Sequence, residues 1–248
     1  MADAVVLLGA LAGGFVSGLA GFGTGLTALG IWLYVMNPPI AASLVIACSV
    51  VSQVETIPVI WHAIEARVVA PFVIGGLVGV PLGTALVPHL DPYWFRFGIG
   101  VVLVLFSILM LRGTSSQPVV GGGWHADTVV GFGGGVLGGL AGLSGPLPTM
   151  WATLRAWDKD QRRSVFQAFN LAVLTAALVA HAINGMLTIA LWRLVVIAIP
   201  GTLVGAWLGA RLYQRLSDTR FQTVVLLLLG GSGVMLVATS LLTKFSKP

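Results

Sequence analysis

Charged residues are what this sequence most lacks. Only 8% of its 248 residues are charged and 57% are hydrophobic, whereas a soluble domain carries about 25% charged residues. The apolar residues fall into repeated runs of about 20, the length that a helix needs to cross a bilayer. These runs lack strict polar–apolar alternation, which disfavours a transmembrane β-barrel. The composition therefore predicts an all-α polytopic membrane protein.

Cysteine is nearly absent, and metal-binding motifs and an N-terminal basic region are missing. The one cysteine, Cys48, excludes an intramolecular disulfide and is expected to pack in a helix. The sequence has no HExxH, Walker, haem or metal pattern, so we expect no cofactor and no metal. The first segment lacks the basic start of a secretory signal, so we expect it to stay uncleaved.

The basic residues that are present lie between the apolar runs. They number 13 against 8 acidic residues and give a net charge of +5. In a soluble protein this excess could indicate nucleic acid, but here it is typical of loops at the cytoplasmic face of a membrane. We expect the lipid bilayer, and no nucleic acid, as the chain's surroundings.

Glycine is abundant, and it is concentrated in two similar stretches. Gly13 to Thr27 reads GGFVSGLAGFGTGLT, and Gly134 to Pro148 reads GGVLGGLAGLSGPLP. The tetrapeptide GLAG occurs at 18–21 and again at 139–142. Each glycine inside a helix costs about 1 kcal/mol relative to alanine. The pattern predicts two broken helices that line one substrate site.

The apolar segments repeat in two halves of four. We predict repeat 1 at residues 1–112, a polar linker at 113–125 and repeat 2 at 126–248. The predicted segments are 4–36, 40–62, 68–87 and 92–112, then 126–157, 164–185, 194–212 and 221–242. From the third segment onward the halves align at an offset of 126 residues, which pairs Phe95 with Phe221. The glycines at 75, 79 and 83 then match those at 201, 205 and 209, and such stripes favour close helix packing in lipid.

The distribution of basic residues distinguishes two topologies. If the first segment of each half crosses once, the repeats are parallel and the basic loops are distributed over both sides of the membrane. If it dips in and returns, each half is a broken or re-entrant first segment plus three transmembrane helices, and the repeats are inverted. One face then holds nine basic residues and the other four, which fits the positive-inside rule. The nine are Arg67, Arg112, Arg155, Lys159, Arg162, Arg163, Arg211, Arg215 and Arg220, and the four are Arg96, Arg193, Lys244 and Lys247. We predict inverted repeats in the cytoplasmic membrane of a bacterium, with both termini on the outer side of that membrane.

The two breaks are the candidate anion site. Half-helix N-termini present unpaired N–H groups and a partial positive charge, and transporters with inverted repeats place their sites where such breaks meet. Packing by glycine alone is the alternative. The candidate substrate-binding residues of the breaks are Gly21, Phe22, Gly23, Thr24, Gly25, Gly142, Leu143, Ser144 and Gly145.

Polar residues in the second and sixth segments extend this candidate site. Gln53 aligns with Gln167 at an offset of 114, as Thr56 does with Asn170. We therefore add Gln53, Gln167 and Asn170 as substrate-binding candidates, with interhelical hydrogen bonds as the alternative.

Charged residues in or beside the spans are candidates for coupling or gating. Glu55 is the one acid well inside a span and could carry a coupling proton, or pair with Arg67 instead. Arg67 and Arg193, aligned at the offset of 126, complete this set. His62 and His181 lie near segment ends, where we expect interfacial anchoring.

An enzymatic alternative rests on four residues. Gly142 to Gly145 reads GLSG, the GxSG pattern of rhomboid-type intramembrane serine proteases, with Ser144 as nucleophile and His181 as base. The position equivalent to Ser144 in the first half is Gly23, and the glycine after His181 comes one residue late. We therefore expect a protein that is not an enzyme.

The whole chain resembles the TauE/SafE sulfite exporters, a four-plus-four family of transporters. The resemblance rests on GGFVSGLAGFGTG, on GGLAGLSGPLP, on the charged turn from Trp157 to Arg163, and on the GVPLG stripe at 79–83. It implies transport of sulfite, thiosulfate or a small organosulfonate. We expect export by alternating access, with one repeat rocking against the other. A passive anion channel of the same fold is the alternative, and the oligomeric state is left open.

Overall fold

A computed structural model describes residues 2–112, 123–155, 157, 159–213, 226–227, 230–231 and 233–241. The predicted all-helical fold is confirmed, and these residues form no strand. A further helical stretch covers 233–241. The helices are α1 (Ala2–Ala20), α2 (Thr24–Trp32), α3 (Pro38–Thr56), α4 (Ala66–Leu86), α5 (Pro92–Arg112), α6 (Gly123–Ala141), α7 (Pro146–Leu154), α8 (Lys159–Ile183) and α9 (Ile189–Tyr213).

The helices suit a bilayer in length and composition. Five stretches of the described chain are long and apolar enough to cross a membrane, in agreement with a polytopic membrane protein. They are Asp3–Ala20, Pro38–Thr56, Ala66–His89, Gln161–Ile183 and Ile189–Leu212.

The first glycine stretch breaks the helix and turns the chain back on itself. Gly21 and Gly23 adopt positive φ angles of 79° and 114°, a conformation that costs glycine little. Gly13 then lies against Thr24, and the Trp32 indole N–H donates to the Val6 carbonyl at 3.2 Å. Earlier residues of α1 thus contact later residues of α2. α2 therefore runs antiparallel to α1, and the two helices form hairpin 1.

The second glycine stretch forms a matching hairpin 2 from α6 and α7. Its turn contains Gly142, with a φ of 69°. The Trp151 indole N–H donates to Asp127 Oδ1 at 2.7 Å, and Arg155 Nη1 lies 3.4 Å from the same oxygen. An indole therefore closes the open end of each hairpin. Asp127 follows Val6 by 121 residues, the same spacing that separates the two GLAG motifs.

Each hairpin packs against a helix from the other half of the chain. A side chain at Gly205 on α9 would overlap the Leu11 carbonyl on α1, and one at Gly79 on α4 would overlap the Phe132 carbonyl on α6. The other glycines of the two stripes make the same backbone contact. The predicted packing role of both stripes is confirmed, and their partners are the hairpins.

Contacts between helices also fix their relative directions. Residue numbers rise together along α1 and α9 and along α4 and α6, so both pairs are parallel. Along α3 and α8 they run oppositely, because Ser43 bonds His181 while Thr56 bonds Gln167. α4 and α9 each follow the preceding long helix through a short connection, so α1 and α6 point in opposite directions. The inverted membrane topology itself stays a prediction.

Two sequence-based expectations are wrong. The charged run before the sixth segment is not a separate turn, because α8 begins at Lys159 and buries Arg163 to 3% exposure. His181 does not anchor an interface, since it is fully buried between helices. The predicted linker, apart from 123–125, lies outside the described residues, as do Arg215, Arg220, Phe221, Lys244 and Lys247.

We expect Gly205→Ala to lower the melting temperature of the purified protein in detergent. The added methyl group would push α9 away from α1, and overpacking of this kind costs typically 1–3 kcal/mol. Gly98→Ala is the matched control, because nothing lies within 4 Å of its Cβ position on α5. We expect that control to keep or slightly raise the melting temperature. Equal effects of the two changes would contradict the packing account.

Candidate functional site

The two hairpin tips meet at a small cavity inside the bundle. The volume open to the centre of a water molecule is about 10 Å³, roughly the room for one water. A Cβ atom at Gly25 would come within 2.7 Å of the Gly142 carbonyl, and one at Gly145 within 2.8 Å of the Phe22 ring. The lining comes from four helices and both turns: Phe22, Gly23, Thr24, Gly25, Leu26, Ser49, Gln53, Gly142, Leu143, Ser144, Gly145, Pro146, Asn170 and Leu174.

The N-terminus of α2 supplies the positive end of a helix dipole to this cavity. Gly23 is the N-cap and gives the helix no side-chain cap, and the next three residues line the cavity. The first N–H groups of a helix have no intrahelical partner and carry partial positive charge. In α7 the equivalent positions hold Pro146 and Pro148, which have no N–H. The first hairpin therefore offers an anion more backbone hydrogen-bond donors than the second hairpin does.

Two buried polar atoms at the cavity have no partner among the described residues. They are Thr24 Oγ1 and Gln53 Oε1, and both residues are almost fully buried. The Gln53 Nε2 group donates to the Gly21 carbonyl at 3.0 Å, so this side chain also holds the first turn. Since buried polar groups in native proteins are nearly always bonded, the two atoms mark a place for a polar ligand or water.

A hydrogen-bond chain links the second hairpin tip to the first. Ser144 Oγ donates to Asn170 Oδ1 at 2.6 Å, and Asn170 Nδ2 donates to the Gly21 carbonyl at 3.4 Å. Both Ser144 and Asn170 also line the cavity. The structure thus brings together residues that the sequence placed in separate segments, and it gives them a structural contact as well.

Gln167 lies behind the first tip and does not line the cavity. Its Nε2 donates to Thr56 Oγ1 at 2.7 Å, and its Oε1 accepts from Arg163 Nε at 3.3 Å. Arg163 Nη2 in turn donates to the Gly18 carbonyl at 3.0 Å. This guanidinium offsets the negative end of the α1 dipole, which would otherwise weaken the positive field from α2.

Five residues of the site were missed by sequence reasoning. Four of them line the cavity, namely Leu26, Ser49, Pro146 and Leu174, and Arg163 supports its first tip. Asn170 follows Ser49 by 121 residues, as Leu174 follows Gln53. The spacing of the GLAG motifs therefore predicts these pairs, whereas the offset of 114 paired Gln53 with Gln167. No feature of the sequence distinguishes Arg163 from the other residues of its charged run.

The candidates for coupling or gating lie away from the cavity. Glu55 and Arg67, both in the described chain, form no ion pair with each other. Glu55 Oε2 is buried without a hydrogen-bond partner among the described residues. Arg193 Nη2 lies 3.6 Å from Asp3 Oδ2 in an exposed pair, and exposed pairs contribute little to stability.

The residues of the protease alternative do not form a pair. Ser144 bonds Asn170, while the two ring nitrogens of His181 bond Ser43 and the Gly139 carbonyl. A serine nucleophile needs its base within hydrogen-bond reach, and this arrangement does not provide it. In the part of the chain that the structure covers, no three His, Cys, Asp or Glu residues cluster as metal ligands would.

The charge of the cavity lining limits how a ligand could be held there. None of its lining residues is charged, so binding would rest on helix N–H groups, hydroxyls and amides. Its present volume admits about one water molecule. A larger anion therefore requires the two tips to move apart.

One comparison with known proteins identifies the family of this chain. The family model described as "Sulfite exporter TauE/SafE" matches residues 5–236. No curated protein and no solved structure matches the chain. Because the match covers nearly the whole sequence, this chain belongs to the TauE/SafE family of membrane transporters for sulfur-containing anions.

Proposed function

We propose that this chain exports sulfite or a small organosulfonate through the cavity between the two hairpin tips. The observation that carries the proposal is the uncapped N-terminus of α2, with the unpartnered Thr24 hydroxyl beside it. An oxyanion accepts hydrogen bonds from both kinds of donor. Membership of the TauE/SafE family supports the substrate class.

Each part of the lining has a proposed role. The amides after Gly23 and the Thr24 hydroxyl bind the anion's oxygens, and Ser49 and Ser144 add further hydroxyls. Gln53 and Asn170 hold the Gly21 carbonyl and keep the first turn in place. Dispersed neutral donors suit release, because a strong ion pair would trap the substrate.

We further propose that alternating access moves the two hairpins, each with the helix that holds it. α1 is packed on α9 and α6 on α4 through glycine, which supports moving bodies that mix the predicted repeats. This differs from one repeat rocking as a block. In the proposed orientation both termini lie on the outer side of the bacterial cytoplasmic membrane. An inside-negative potential then favours export by about 2.3 kcal/mol per charge per 100 mV.

We expect Thr24→Val to reduce sulfite export from inverted or loaded vesicles by at least tenfold. The change removes one hydrogen-bond donor at nearly constant shape, and a bond to a charged group contributes about 1.5–3 kcal/mol. Thr202→Val is the matched control, because Thr202 is equally buried but does not line the cavity. Equal transport by both variants would exclude Thr24 from the site.

A carrier and a passive channel make opposite predictions in proteoliposomes. The closely packed tips support a carrier, so we expect saturable flux and acceleration of labelled thiosulfate uptake by unlabelled thiosulfate on the other side. A channel would instead give currents that rise in proportion to voltage, without such exchange. Ohmic currents in planar bilayers would overturn the carrier mechanism while leaving the anion site in place.

A further inference from the structure

Two equivalent carbonyl groups near the hairpin tips each accept a hydrogen bond from a basic side chain of α8. The Gly18 carbonyl accepts from Arg163 Nη2 at 3.0 Å, and the Gly139 carbonyl contacts His181 Nε2 at 2.8 Å. Gly139 follows Gly18 by 121 residues. The first of these side chains is always charged, whereas the second gains its charge by binding a proton.

The hydrogen bonds around His181 are all satisfied when the ring carries two protons. The Gly139 carbonyl only accepts, so Nε2 must hold a hydrogen. Ser43 Oγ lies 2.9 Å from the Pro39 carbonyl and 2.8 Å from His181 Nδ1. The hydroxyl has one hydrogen, and when it donates to Pro39, Nδ1 must donate to the hydroxyl. In the neutral ring Nδ1 instead accepts from the Ser43 hydroxyl, which then no longer donates to Pro39, so the doubly protonated ring gives the group one hydrogen bond more.

The imidazolium would have no carboxylate to balance it. His181 is fully buried, and its contacts, the Ser43 hydroxyl and the Gly139 carbonyl, are both neutral. A buried charge is costly without a partner of opposite sign. The cavity lining on α8 ends at Leu174, seven residues before His181, so the cavity edge lies roughly 10 Å from His181 along this helix. An anion in the cavity would supply the missing charge.

We propose that His181 is the site of a proton whose binding is linked to that of the anion. The proposal rests on the function proposed above and names the group that responds to pH. Anion and proton each make the other's binding more favourable, and by linkage the effect is reciprocal. The Ser43 hydroxyl contacts both the ring and the Pro39 carbonyl, which lies in the first turn of α3 beside the exposed Asn37.

Most other titratable groups on the helices around His181 are remote or exposed. Counted along the helices at 1.5 Å per residue, Glu55 on α3 lies about 18 Å from Ser43, and Asp127 on α6 about 18 Å from Gly139. Both are thus near the opposite end of the bundle, as are His62, Arg67, His125, Arg155, Asp160, Arg162 and Arg163. At the His181 end, His89, Asp91 and the pair of Asp3 with Arg193 are exposed, whereas Arg96 in the second turn of α5 is half-buried. Buried Cys48 lies about 8 Å along α3 from Ser43.

Calorimetric titration of the purified full chain tests this linkage. The probes are thiosulfate and methanesulfonate, which stay fully ionised between pH 6 and pH 8. Repeating each titration in buffers of different ionisation enthalpy gives the number of protons taken up per anion bound. We expect the native protein to take up a fraction of a proton near pH 7. We also expect its affinity to fall on the order of tenfold from pH 6 to pH 8.

His181→Gln should abolish the proton uptake and flatten the dependence of affinity on pH. Ser43→Ala removes the acceptor for Nδ1 without touching the ring, so its proton uptake should fall well below that of the native protein. His89→Gln is the control on an exposed histidine and should leave the uptake unchanged. Melting temperatures show which variants are folded. If His181→Gln does not fold, the proton uptake of Ser43→Ala alone tests the role of His181.

The outcomes separate this inference from the proposed function. If the native protein binds neither probe at any pH, the proposed function fails and the inference fails with it. If it binds them with undiminished proton uptake in His181→Gln, or in Ser43→Ala where only that variant folds, the inference alone is overturned. Loss of the uptake in Glu55→Gln, with normal uptake in His181→Gln, would assign the proton to Glu55 instead.

Discussion

Backbone contact between glycine stripes and hairpins is the constraint on which the rest of this structure depends. In lipid there is little hydrophobic force to hold helices together, so close packing must do it. Gly201, Gly205 and Gly209 bring α9 against α1, and the stripe on α4 does the same for α6. These contacts set how deeply each hairpin enters the bundle, and so where its tip lies. The cavity exists because both tips are held at the same level.

The tips create a favourable electrostatic environment for an anion without placing a charged side chain in the cavity. At the first tip the negative end of α1 and the positive end of α2 lie side by side, and their fields would partly cancel. Arg163 and Gln53 donate to the carbonyls at the α1 end. The positive end of α2 is left to face the cavity. An anion in the cavity would therefore feel the positive end of a helix dipole without forming an ion pair.

The sequence predicts the helical class, the glycine breaks and most of the lining, because each follows from local chemistry. Runs of apolar residues require helices, and the clustered glycines at 21–25 and 142–145 cannot continue one cheaply. What the sequence does not reveal depends on distant contacts. Arg163 sits in a charged run that looks like a cytoplasmic loop, and one of the contacts that hold it inside is with the Gly18 carbonyl, 145 residues away. His181 is hidden for the same reason.

The exchange of partners between the halves has a consequence for how the chain is made. Hairpin 1 is synthesised first, yet its packing surface on α9 begins at Ile189, and the ribosome reaches that residue only after most of the chain has emerged. Until then the glycine face of α1 contacts lipid or an insertion factor instead of α9. Contacts so far apart in sequence form slowly. We therefore expect the early membrane intermediate to contain the first hairpin without its support, and the candidate site to be assembled last.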